Sequence, residues 1–407
     1  MNCRYCRTFL QHIFLDLGCV PPSNAYLNKN DLSKPEIYYP LKVYVCEQCW
    51  LVQTKDYANA EELFNSEYAY FSSTSSSWLA HAKNYTDKMI KELNLNSDSY
   101  VIEVASNDGY LLKNFVAAGI PCLGIEPTTS TADVAEKIGI PVLSKFFDKA
   151  LAQQLASEGK KADLVIGNNV YAHVPDINDF TKGLKAVLKP GGTITLEFPH
   201  VMRLIEHAQF DTVYHEHFSY LSLHTVSKIF EATNLRIFNV EELVTHGGSL
   251  RVYGCHIDDF RKTKKSVSLL LQEEKEQGLQ KLRTYQDLQT RADKIKDDLV
   301  TFLIEQKNKG KKVVAYGAAA KGNTLLNYAG ITTDLLPFIF DLAKAKQGCF
   351  MPGSHIPILS PKYLVETKPD YVLILPWNIA AEVRKQNTML EKNGIQFMTA
   401  VPKLEIL

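Results

Sequence analysis

The sequence carries no net charge, since 45 Lys and Arg residues offset 45 Asp and Glu residues. A broad electrostatic footprint for nucleic acid is therefore not expected. It has no run of about 18 or more apolar residues, so no membrane-crossing helix is expected. Its opening residues, Met1 to Cys6, offer neither an apolar stretch nor a small-residue cleavage pattern. That argues against a secretory leader and leads us to expect a cytoplasmic protein. Hydrophobic residues make up 45% and charged residues 22%, which excludes extended disorder and low-complexity classes. At about 150 residues per domain, the length leaves room for roughly two to three domains.

Against these absences, the placement of eight cysteines stands out. Structural disulfides are rare in a reducing compartment. Cys3-x-x-Cys6 and Cys46-x-x-Cys49 fall within the first fifty residues. A CxxC turn lets two thiolates converge on one ion, and two such turns make the closed four-cysteine site of structural zinc. Four thiolates leave no position for a catalytic water, so this metal is expected to build structure only. Paired redox motifs or unliganded core cysteines are the competing readings. Residues 37–45 read as a strand leading into the second turn. Cys19, Cys122, Cys255 and Cys349 are bystanders.

From about residue 100, short apolar strands alternate with helical stretches, the pattern of βαβ units and a parallel sheet. The first strand, from Tyr100 to Val104, runs into Ala105-Ser-Asn-Asp-Gly109 and a helix. A short turn between a buried strand and a helix suits a nucleotide-like cofactor. The next strand ends in Glu126, whose carboxylate can accept from both hydroxyls of a ribose. A further strand at residues 162–170 leads to Tyr171-Ala-His173-Val-Pro-Asp176, and Leu188-Lys-Pro-Gly-Gly192 is a turn before the strand at 193–198. Glu103 to Gly109, Glu126, Asn168-Asn169, the His173 segment and the 188–192 turn together resemble a class I S-adenosylmethionine-dependent methyltransferase. The glycine-rich loop of that family departs here: Ala105 and Asn107 stand where it has glycine, and only Gly109 remains. The resemblance implies that Glu103, Ala105, Asn107, Gly109, Glu126, Pro127, Asn168 and Asn169 contact S-adenosylmethionine. A nicotinamide-binding domain is the alternative.

After the last core strand comes Tyr214-His215-Glu216-His217-Phe218-Ser219-Tyr220. Consecutive ionisable residues among aromatics suit proton transfer, because a half-buried histidine can titrate near neutral pH. Metal ligation by His215 and His217, or ordinary burial, are the competing readings. The zinc turns, the methyltransferase core, this segment and a C-terminal Lys321-Gly-Asn323-Thr together resemble the sugar C-methyltransferases, which act on nucleotide-linked 4-keto-deoxysugars. The resemblance spans essentially the whole chain. It implies His217 as the base at the carbon next to the ketone, with Tyr214 and Glu216 orienting it or stabilising the enolate. It places His173 near the 4-keto oxygen and Tyr68 over cofactor and sugar. His246 and Arg251 would line the substrate cleft. The serine run from Ser72 to Ser77 can equally be a flexible joint.

Residues 264–308 read as long helices broken near Gly278. Gly317 to Thr324 nearly matches a phosphate loop, but Asn323 stands where that loop needs lysine, which excludes an ATPase. A glycine turn at a helix N-terminus can still hold a diphosphate, with Lys321 and Asn323 beside it. Trp377 could stack on a base or sit in the core.

The expected architecture is α/β: a zinc module at 1–66, a Rossmann-like methyltransferase core at 67–262, and a second, smaller Rossmann-like domain at 263–407. The expected protein is a monomer with a small nucleotide-sugar substrate. It would methylate carbon 3 of a nucleotide-linked, dTDP-type 4-keto-6-deoxyhexose through an enolate. Carbon 5 of the same substrate, O- or N-methylation, and a non-catalytic scaffold with a degenerate cofactor loop are the alternatives.

Overall fold

Three β-sheets organise the described residues. The computed structural model describes residues 1–57 and 71–407. Tyr68 and the expected boundary at residue 66 lie outside the described residues.

The two CxxC turns have the same shape. Arg7 and Trp50, each following its second cysteine, sit at φ 65° and 63°. The Arg7 and Trp50 N–H groups donate back to the Cys3 and Cys46 carbonyls at 3.0 and 2.8 Å. Between the turns run His12–Val20 and Tyr39–Val45, and with Val52–Thr54, just after the second turn, they form an antiparallel sheet. Ser219–Tyr220 completes that sheet by pairing with Val52 and Gln53. The first strand was not legible beforehand, because Gly18 and two register shifts interrupt its alternation.

The central sheet contains β1 (Val101–Val104), β2 (Cys122–Ile125), β3 (Val142–Leu143), β4 (Ala162–Asn168), β5 (Leu188–Pro199), β6 (Leu235–Leu243) and β7 (Ser249–His256). Their spatial order is 3-2-1-4-5-7-6. β1 to β5 run parallel, and β7 is antiparallel to both of its neighbours. β1 and β4 are almost wholly buried, which is why they read as continuous apolar runs. The chain leaves β1 toward β2 and returns on its other side at β4. That reversal opens a crevice at the carboxyl ends of β1 and β4, where open α/β sheets bind ligands.

The serine run is not a free joint. Ser72 and Ser73 N–H groups donate to Asn107 Oδ1 at 2.9 Å and Asp108 Oδ2 at 3.1 Å. Ser75 then caps the helix Ser76–Leu93 by accepting from the Trp78 N–H.

Beyond the core, helices Lys265–Glu276 and Leu288–Asn308 are separated at Gly278, where φ is 81°. Leu270, Leu279, Leu288, Ile295, Leu299 and Leu303 are buried, while Leu269 faces solvent. Glu274 pins this connector to the core. It pairs with His200 at 2.7 Å, both fully buried, and accepts the Leu223 and His224 N–H groups. The C-terminal sheet places Val313–Tyr316 between Ile339–Phe340 and Tyr371–Ile374, all parallel. The N-terminal module reaches this domain directly: Leu27 bridges to Phe350, and Tyr26 O–H donates to the Ala318 carbonyl at 2.6 Å. Among the described residues, no helix is long and apolar enough to cross a membrane.

Candidate active site

A cavity of about 340 Å³ opens at the carboxyl ends of β1, β2 and β4. Its wall comes from all three parts of the chain: Asn24 from the N-terminal module, Asn107 and Glu126 from the core, and Lys321 and Lys346 from the C-terminal domain.

The loop after β1 keeps the shape that its glycine-poor sequence put in question. Ala105, Asn107 and Gly109 lie at φ 57°, 51° and 77°. Asparagine tolerates this region, whereas alanine there costs roughly 1–2 kcal/mol. Gly109 is needed for space as well, since a Cβ at that position would lie 2.3 Å from Ile140 Cδ1. Glu126 lines the cavity and accepts the Asn107 and Thr128 N–H groups, each at 2.9 Å, one on each oxygen. A carboxylate has further lone pairs, so it retains capacity for the two hydroxyls of a ribose. Glu103 lies fully buried behind the loop, and neither of its oxygens has a hydrogen-bond partner among the described residues. Burial, then Glu126 and Asp108, push its carboxyl well above the usual range. Of Glu103 and Glu126, the latter faces the cavity, where its carboxylate favours a cation in front of it. The donor set, the loop shape and the acidic environment fit S-adenosylmethionine, a sulfonium with a ribose. Ala105, Asn107, Glu126, Pro127, Asn168 and Asn169 line the cavity, while Glu103 and Gly109 support the loop from behind.

His217 and His173 meet in the cavity wall with ring centroids 4.6 Å apart. Tyr214 lies over His217 at 4.0 Å. His217 Nδ1 lies 2.9 Å from the Thr212 carbonyl. A carbonyl only accepts, so this bond assigns the proton to Nδ1 and leaves Nε2 basic. Burial, then His173, holds His217 well below the ordinary imidazole range. It is therefore neutral and able to take a proton at physiological pH. His173 Nδ1 donates to the Glu216 carbonyl at 2.7 Å, and burial holds this ring down to about 4.

Glu216 does not reach the cavity. Its side chain is buried behind the wall and accepts from Asn24 Nδ2 at 3.1 Å. Its main chain, not its carboxylate, orients a histidine, and that histidine is His173. His246 does line the cavity and lies 3.2 Å from Asn169 Nδ2. Arg251 is not brought to it. Arg251 sits on β7 with its guanidinium 2.6 Å from Glu197 and 4.5 Å above the Tyr85 ring, buried inside the sheet layer. Asn323 is likewise fully buried, accepting from Asn327 within its own helix. Lys321 lines the cavity, donates to Asn378 Oδ1 at 2.7 Å and lies 4.5 Å above the Trp377 ring. Sequence reading missed Asn24, Trp78, Tyr110 and Lys346, all of which line the cavity. None carries a local motif; only the tertiary fold brings them there.

The cysteine sulfurs of Cys3, Cys6, Cys46 and Cys49 lie within 4.8 Å of one another. The Cys3–Cys49 and Cys6–Cys46 pairs are 3.5 Å apart. A tetrahedral zinc at about 2.3 Å from each sulfur separates them by about 3.8 Å, so the cage fits that ion. Gln53 Nε2 donates to Cys3 Sγ at 3.2 Å and steadies it. The cage is coupled to the active site. Arg4, between the first two cysteines, donates to the Pro175 carbonyl at 2.7 Å. Thr54 donates to the His217 carbonyl at 3.1 Å.

Comparison with known proteins agrees with this geometry. Family models match residues 3–64 as a zinc binding domain, 78–240 as a methyltransferase domain and 244–402 as a C-methyltransferase C-terminal domain. The C-methyltransferase NovU of Streptomyces niveus is 32% identical over 406 residues, covering 100% of this chain and 96% of its own length. The ubiquinone biosynthesis O-methyltransferase of Bartonella tribocorum is 28% identical over 93 residues, 23% of this chain and 38% of that one. Among solved structures, magnesium protoporphyrin IX methyltransferase from Synechocystis is similar over 43% of this chain and 82% of its own, at 14% identity and a TM-score of 0.35. The full-length match and the ordered domain matches agree: the chain belongs to the family of S-adenosylmethionine-dependent C-methyltransferases that carry an N-terminal zinc-binding domain.

Proposed function

We propose that the protein methylates the carbon next to the ketone of a nucleotide-linked 4-keto-6-deoxyhexose, with carbon 3 of a dTDP-linked sugar as the assigned position. One observation supports this above others. The cavity has the Glu126 carboxylate at its cofactor end, ammonium groups from Lys321 and Lys346 at its C-terminal end, and a neutral, oriented histidine in its wall. A cationic methyl donor and an anionic diphosphate match those two ends.

His217 Nε2 removes the α-proton, and the C–H electron pair becomes the enolate. The Tyr214 hydroxyl and the Lys321 ammonium offer the oxyanion its donors. His173 does not suit that duty, because its Nδ1–H is committed to the Glu216 carbonyl and its Nε2 is then an acceptor. When bound, S-adenosylmethionine supplies an electrophilic methyl group, which the enolate carbon takes as the C–S bond breaks. The proton on His217 returns to solvent. The cavity's largely apolar lining, including Phe146, Phe147 and Phe180, keeps water from competing.

The α-proton gives a direct test. Incubating the enzyme with the 4-keto sugar in D2O without S-adenosylmethionine is expected to exchange one ring proton for deuterium, detected by proton NMR. The exchanging position also separates carbon 3 from carbon 5. Methyl transfer to oxygen or nitrogen with no exchange at either carbon would contradict the proposal.

A further inference from the structure

The turn that orients His217 is held from its other side by the C-terminal domain. Thr212, whose carbonyl accepts the His217 Nδ1 proton, closes the 3₁₀ turn Phe210–Thr212. Asp211, one residue earlier, is fully buried. Its Oδ2 accepts the Trp377 indole N–H at 2.8 Å, and its Oδ1 has no partner among the described residues. The same Trp377 ring carries the Lys321 ammonium on its face. Gly247 lets the indole approach, since a Cβ there would lie 2.3 Å from Trp377 Cη2.

The structure assigns Asp211 and Trp377 as a positioning pair that locks the Thr212 carbonyl under His217 and so ties the base to the wall that presents Lys321. Neither residue lines the cavity, so neither touches the reacting atoms. Their effect passes through one peptide unit. A carbonyl that swings away leaves Nδ1–H unpaired, and the neutral imidazole can then place its proton on Nε2, where it is no longer a base. Burial pushes the Asp211 carboxyl up to about 6, with Lys321 opposing, so this carboxylate also helps keep a buried Lys321 protonated. A domain docked in the wrong place would lose the base and the oxyanion donor together.

This rests on His217 as the base, and the test separates the two ideas. In the zinc-loaded full chain, Trp377→Phe keeps a ring under Lys321 and removes the N–H. Nitrogen-15 NMR of the histidine side chains reads the His217 tautomer without any substrate. The expected result is a single Nδ1–H form in the wild type and a mixture of tautomers in Trp377→Phe. Turnover should show kcat lowered about tenfold or more, since small misplacements of a reacting group are costly. Asp211→Asn keeps an acceptor for the indole. It should preserve the wild-type tautomer while raising KM and lowering kcat, because Lys321, at the diphosphate end and also the oxyanion donor, loses its counter-charge. If Trp377→Phe does not fold, Asp211→Ala is read in the same way. An unchanged His217 tautomer in the folded variant would overturn the positioning role, whatever the turnover. A changed tautomer with unchanged turnover would keep the pair and overturn His217 as the base.

Discussion

Replacing His217 with asparagine is expected to lower kcat about 10³-fold, the middle of the range that a positioned general base contributes. The asparagine amide N–H can still donate to the Thr212 carbonyl, so the turn keeps its anchor, but no basic atom remains in place of Nε2. S-adenosylmethionine binding should persist, because the loop after β1 and Glu126 do not contact His217. Single-turnover rates measure the first effect, and titration calorimetry with the cofactor measures the second. His173 is a second neutral imidazole 4.6 Å away, and it can supply a residual rate. A variant turning over within about tenfold of wild type would remove His217 from the mechanism.

Stripping the zinc is expected to have an effect of comparable size, although the metal is remote from the chemistry. Binding at a four-thiolate site contributes on the order of 10 kcal/mol or more to folding the element around it. That element includes the ladder from Val52 and Gln53 to Ser219 and Tyr220, which begins two residues after His217. Arg4 adds bonds to the Pro175 and Thr54 carbonyls and lies 5.4 Å from the Phe218 ring centroid. Losing the cage releases the loop that carries the base from its other support. Cys46→Ser, or chelation under mild denaturation, should release the metal to a chromogenic dye, lower the first thermal transition and abolish methyl transfer. Full activity in zinc-free protein would contradict this coupling.

The parts legible in the sequence are those whose chemistry is local. Each CxxC turn closes within a few residues, so its ligands could be read without the fold. The same holds for the loop from Glu103 to Gly109, where Ala105 and Asn107 adopt the left-handed conformation that glycine takes most readily. The TyrHisGluHis segment announced itself by composition, yet the division of labour inside it did not. His217 lines the cavity while Glu216 turns inward toward Asn24, a choice made by the pairing of Ser219 with the N-terminal sheet. Arg251 shows the limit most directly. It follows His246 closely in sequence, and a strand alternates its side chains. Which face met the cavity depended on Glu197 and Tyr85, contributed by distant segments. Asn24, Trp78 and Lys346 reach the cavity from three widely separated stretches, and no pattern along the chain could have joined them.

Carbon methylation itself is tested most directly by the product. The zinc-loaded enzyme is incubated with S-adenosylmethionine carrying a carbon-13 methyl and with a nucleotide-linked 4-keto-6-deoxyhexose. The expected product has a labelled methyl at aliphatic chemical shift, with long-range couplings to a ring carbon beside the ketone. A labelled methyl at the chemical shift of an ether or an amine would contradict it.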